Sequence, residues 1–73
     1  MLLKDYRAKL DMTQKNIANY LGISERQYQR IENGEAFPNK KVLNALEDLF
    51  EKPQRVLLAK RAEEVPNYMK QYL

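Results

Sequence analysis

Neither cysteine nor histidine occurs in these 73 residues, which removes disulfides, thiolate metal sites and imidazole chemistry at the outset. A chain without thiols suits a reducing cytoplasm. Glycine appears only twice, too seldom for a glycine-rich phosphate loop, and the adjacent Glu63 and Glu64 point apart rather than share a cleft. An enzyme is therefore a poor reading, and neither a cofactor nor a metal is expected. No apolar run approaches the roughly 20 residues that span a bilayer. Met1, Leu2 and Leu3 are followed at once by Lys4 and Asp5, which does not read as a secretory signal, so the mature protein is expected to be the whole chain. A single domain of this length has a marginal core, and association or very regular helix packing often adds to its stability. Thirteen Lys and Arg against ten Asp and Glu leave a net charge of +3, a modest excess that suits a polyanion without proving one.

What is present is concentrated between Gln14 and Pro38. Two short helical patterns meet there. Ala18 falls mid-helix where a second helix crosses closely, and a larger side chain would push the pair apart. Gly22 follows the last apolar position, Leu21, where positive φ is needed, and Ile23 plugs the corner. Ser24 and Gln27 form an S-x-x-Q capping box that starts the next helix. Its inward residues are Tyr28 and Ile31, which leaves Glu25, Arg26, Gln29, Arg30 and Asn33 outward. Arg26 and Arg30, four apart, share a face and suit guanine edges or flanking phosphates, while Gln29 suits adenine. Glu25 is the odd member, because a carboxylate there repels phosphate unless it accepts from cytosine or holds an arginine in position; the second role is the expected one. Thr13 and Ser24 cap their helices and place free amides toward a phosphate backbone, with Gln14, Gln27 and Asn33 beside them. Asn39, Lys40 and Lys41 open a further helix and suit phosphate as well. The plain alternative for the whole set is a solvated polar face.

These residues resemble the Cro/repressor-type (XRE-like) helix-turn-helix family of phage and bacterial regulators, whose pattern runs Q-x-x-x-A-x-x-x-G-[IV]-S-x-x-x-[IVT]-x-x-[IWL]-E-x-G-x-x-x-P. Gln14, Ala18, Gly22, Ile23, Ser24, Ile31, Glu32, Gly34 and Pro38 match it, over a resemblance covering about residues 2 to 60. Tyr28 departs from it, since a smaller β-branched residue is usual there; a tyrosine fits if its hydroxyl reaches the rim. The resemblance implies an all-α, compact five-helix lambda-repressor-like domain. It also implies a partly buried ion pair between Arg7 and Glu32, whose bland alternative is two solvated charges. Gln14 is implied both to present its backbone N–H to phosphate and to brace a neighbour in the recognition helix.

Periodicity places a first helix at about Leu2 to Leu10, with Leu3, Tyr6 and Leu10 inward, and a second from Gln14 to Leu21. The third spans roughly Ser24 to Asn33, after which Phe37 is expected to fold back on the core. Asn39 starts a fourth helix that runs to about Phe50, Lys52-Pro53 breaks it, and a fifth carries Val56, Leu57 and Ala59 towards Glu64. The domain is thus expected over residues 1–64, with 65–73 as a short helical tail. Leu57, Leu58, Val65, Tyr68, Met69, Tyr72 and Leu73 supply more apolar surface than a short tail needs, and a two-fold homodimer through them is the preferred reading over a simple cap on the core.

Together these readings point to a sequence-specific transcriptional regulator that binds double-stranded DNA. A repressor on a pseudo-palindromic operator is expected, as a dimer with recognition helices about 34 Å apart. The alternative is a protein-interaction module, antirepressor- or antitoxin-like, kept open by the acidic Glu25 and Glu35 beside the reading face.

Overall fold

The computed structural model describes residues 1–73 and contains helices and turns but no strand. Five α-helices are α1 (Leu2–Lys9), α2 (Gln14–Leu21), α3 (Glu25–Glu32), α4 (Lys40–Phe50) and α5 (Gln54–Leu57). Two 3₁₀ segments follow, Ala62–Glu64 and Asn67–Tyr72. No helix is long and apolar enough to cross a membrane.

Side chains set the helix starts. Ser24 Oγ accepts from the Gln27 N–H at 3.1 Å while Gln27 Oε1 accepts from the Ser24 N–H at 3.0 Å. Thr13 and Asn16 form the same reciprocal box at α2, and Asn39 Oδ1 caps α4 by accepting from the Val42 N–H at 2.9 Å. Glycine sets the exits where the chain must turn left-handed. Gly22 closes α2 at φ 74°, with the Ile23 N–H returning to the Ala18 carbonyl, and Gly34 has φ 78° just past α3.

One core joins the five α-helices. Leu3 and Tyr6 of α1 meet Ile17, Ala18 and Leu21 of α2, Tyr28 and Ile31 of α3, and Val42, Leu46 and Phe50 of α4. Ala18 is 1% exposed beside α3, as close helix crossing demands. Val56 and Leu57 of α5, and Val65 beyond it, close the end.

Four expectations are corrected here. Leu10 is 48% exposed because α1 has ended and position 10 is only its C-cap. Phe37 is 76% exposed; the buried Pro38 and half-buried Ala36 fill the space it was expected to take. Tyr28 is fully buried, and its hydroxyl, far from reaching the rim, has no hydrogen-bond partner. The fifth helix stops at Leu57 instead of running towards Glu64. Beyond it the Ala59 carbonyl accepts from the Leu2 N–H at 2.8 Å, and the Glu64 carboxylate takes the Lys60 N–H at 2.8 Å, so neighbouring groups claim the backbone that helix continuation needs.

The tail is likewise redistributed. Leu57 and Val65, expected at a subunit interface, are 1% and 2% exposed inside the chain's own core. Leu58 and Met69 are half-buried, whereas Tyr68, Tyr72 and Leu73 stay exposed. Arg55 Nη1 donates to the Tyr68 hydroxyl at 2.8 Å and Lys52 Nζ to the Tyr72 carbonyl at 2.5 Å, which lays the last 3₁₀ segment along α5.

Candidate nucleic-acid interface

The outer face of α3 is bare. Glu25, Arg26, Gln27, Arg30 and Asn33 are exposed and Gln29 half-buried, while Tyr28, Ile31 and Glu32 turn inward. Clefts flank the helix on both sides. One is lined by Thr13 and Gln14 of the α2 start together with Glu25 and Arg7. The other brings Gln27 and Arg30 alongside Asn39 at the α4 start. The expected contact residues therefore lie along one continuous belt: the α2 cap, the α3 outer face and the α4 cap. Lys40 and Lys41 extend it as exposed cations on the first turn of α4. Free amides at the first turns of α2, α3 and α4 carry partial positive charge, which suits anionic groups.

Glu25 does not hold an arginine. Only two ion pairs form, and the one on this face joins Arg30 Nε to Glu35 Oε2 at 4.0 Å, with both side chains more than half exposed. Such a pair contributes about 0–1 kcal/mol and yields readily to phosphate.

Beneath α3 lies a built polar network. Arg7 Nε donates to Glu32 Oε2 at 2.8 Å and Arg7 Nη2 to Glu32 Oε1 at 3.2 Å, the forked arrangement that favours arginine over lysine. Arg7 Nη1 donates to the Met12 carbonyl at 2.9 Å, tying α1 to the connection before α2. Gln14 Nε2 donates to Glu32 Oε1 at 3.0 Å, and Gln14 Oε1 accepts from Gln29 Nε2 at 3.2 Å. The chain Arg7–Glu32–Gln14–Gln29 thus runs from the buried side of the domain to its bare face. The ion pair and the bracing role of Gln14 are both present. Sequence reading missed that they form one network, because Gln14 stands 15 residues from Gln29 and 18 from Glu32, beyond any local spacing rule.

Electrostatics follow the burial. Burial pushes the Glu32 carboxyl up, but the Arg7 guanidinium, the Tyr28 hydroxyl dipole and the Gln14 amide together outweigh it and hold the group below its ordinary range. The Tyr28 hydroxyl acts through proximity alone, since it makes no hydrogen bond of acceptable geometry. The hydrogen bonds that Arg7 donates to Glu32 raise the guanidinium above its ordinary value, against the opposing effect of burial. Burial, reinforced by the Glu32 charge, pushes Tyr28 far up, so it stays neutral. Glu32 is then an anion at neutral pH, and its Oε1 accepts, which orients the Gln14 amide and leaves Gln14 Oε1 facing Gln29.

The family model for Helix-turn-helix matches residues 3–53, from the start of α1 through the break before α5. No curated protein and no solved structure matches the chain.

Proposed function

Because the chain belongs to the Cro/repressor-type (XRE-like) helix-turn-helix family, a family of DNA-binding regulators, we propose that it is a repressor that binds an operator and occludes a promoter. One observation carries this reading. The exposed face of α3 is left uncovered by the chain's own residues, while a partly buried ion pair and Gln14 fix the Gln29 side chain at its edge. A merely solvated helix has no use for such support. In this reading Arg26 and Gln29 contact base edges and Arg30 a base edge together with its flanking phosphate, with Glu25 at the rim. Thr13, Gln14, Ser24, Gln27, Asn33, Asn39, Lys40 and Lys41 contact the phosphate backbone.

A pseudo-palindromic operator calls for two copies. The exposed Tyr68, Tyr72 and Leu73, with the partly exposed Leu58 and Met69, are the surface proposed to join them. Selecting bound fragments from a genomic library, then measuring gel shifts at two salt concentrations, tests the reading. Specific fragments held more tightly than random duplex support it. Absence of duplex binding at either salt rejects it in favour of a protein-binding module.

A further inference from the structure

Phe37 is the most exposed large apolar side chain of the molecule, at 76%, yet the residues on either side of it are anchored. The Glu35 and Ala36 N–H groups both bond to the Arg30 carbonyl, at 2.8 and 3.2 Å, so the loop is fastened to α3 at the residue whose side chain faces outward. On the other side the buried Pro38 restricts Phe37 to extended backbone, and Asn39 caps α4 one residue later. A phenyl held out on such a mount is a presented group rather than a loose one.

Its surroundings favour a nucleic-acid contact. Phe37 shares an open cleft of ≈ 220 Å³ with Gln27 and Arg30 of α3 and with Asn39, over a floor that includes Ile23 and Val42. Lys40 and Lys41 follow on the next turn. Along this edge the order is cation, aryl, cations, and a DNA strand offers phosphate, deoxyribose, phosphate, with the C–H faces of the sugar as its apolar part. Glu35 is the one acidic side chain lining the clefts around the ring, and its exposed 4.0 Å pair with Arg30 yields readily to phosphate.

We propose that Phe37 packs against the deoxyribose of the strand bordering the recognition helix, as a sequence-independent apolar contact between the phosphates held by Arg30 and by the α4 start. The inference rests on the DNA-binding reading and goes beyond it by assigning a residue outside the helix-turn-helix itself. The test compares wild type, Phe37→Ala, Phe37→Leu and Lys40→Ala on a selected fragment and on random duplex across a salt series. Phe37→Ala is expected to weaken both duplexes alike, on the order of tenfold, with the slope of log affinity against log salt unchanged. Phe37→Leu should recover most of the loss, whereas Lys40→Ala should flatten the slope. Because the ring is exposed, all variants should melt like wild type. A Phe37→Ala loss confined to thymine-containing sites, abolished when uracil replaces thymine, would overturn the sugar assignment in favour of a base methyl. Unchanged affinity would also overturn it, as would a change in sedimenting mass without a change in DNA binding, which would assign the ring to a protein contact. Failure of the wild type to bind any duplex would instead take down the DNA reading itself.

Discussion

Glu32 is a carboxylate with only 3% of its side chain exposed, and it remains charged there because Arg7, Gln14 and the Tyr28 dipole face it. Removing one partner of such a pair strands the other, at a cost on the order of 3–5 kcal/mol. A domain of this length has a total stability of roughly 4–11 kcal/mol, so Arg7→Ala should melt far below wild type or fail to fold. Replacing both, as Arg7→Met with Glu32→Leu, should recover much of that loss, because no unpaired charge then remains. A calorimetric melt of Arg7→Ala that matched wild type would refute this account. The pair also sets an acid limit. Since the folded carboxyl sits below its ordinary range, its contribution is complete above the unfolded value of about 4.3 and is lost as pH falls from there through the folded value. Glu32→Gln should therefore melt lower at neutral pH and lose less on acidification, the gap to wild type narrowing below about pH 4. Tyr28 behaves differently. Its hydroxyl is buried and unpaired, so Tyr28→Phe should hold or raise the melting temperature, by an amount corresponding to about 1 kcal/mol. A marked fall would mean that the hydroxyl stabilises Glu32 more than its own burial costs. Sequence spacing could place Tyr28 inward but could not reveal how deep the ring goes, because that depends on the distance between α3 and α1.

At the scale of elements, the helix starts were legible, including that of α1, which has no side-chain cap, whereas the end of α5 was not. Residues Thr13, Ser24 and Asn39 each start a helix within one residue of its expected position, because an oxygen accepting from the third residue onward is a local interaction that short-range sequence can encode. Ser24→Ala should destabilise the domain by about 1 kcal/mol and loosen α3 ahead of the other helices, which hydrogen exchange at Gln27 and Tyr28 would register. Equal protection in both proteins would show that packing of Tyr28 and Ile31, not the cap, holds the first turn. The α5 region lacks such a signal. Pro53 supplies the start but no side-chain cap, and the end is decided by Glu64, four residues beyond Lys60, and by Leu2, which approaches Ala59 only in the folded chain. Phe37 failed for a related reason. Hydropathy alone sends a phenylalanine inward, whereas here Pro38 occupies the interior place and the backbone bonds to Arg30 turn the ring out. The exposed face of α3 was legible because helical period fixes orientation once Tyr28 and Ile31 are inward; the arginine partner was not, since Glu35 reaches Arg30 only through the turn at Gly34.

For the whole molecule, the open question of assembly turns on where the core ends. Val65 is buried at 2% exposure, so the folded unit extends past Glu64 and the last residues divide into an anchor and a surface. That division separates two truncations. Ending the chain after Glu64 removes a core side chain worth about 1.5–3 kcal/mol, and at about 4–8 °C per kcal/mol for a domain of this size the melting temperature should fall by roughly 6–24 °C. Ending it after Pro66 keeps Val65 and removes the 3₁₀ segment, whose polar ties, Arg55 to Tyr68 and Lys52 to Tyr72, are exposed and contribute little. If Tyr68, Tyr72 and Leu73 join two copies, sedimentation equilibrium should show the protein ending at Pro66 as a monomer at concentrations where the full chain is dimeric. Its melt in dilute solution should then lie only a little below that of the full chain, because the half-buried Met69 is the one core-packing side chain lost. DNA binding should survive but weaken, since a single recognition helix reads half an operator and loses the gain from linking two sites. A truncated chain that still sediments as a dimer would move the interface elsewhere and leave the tail as a cover for α5 alone.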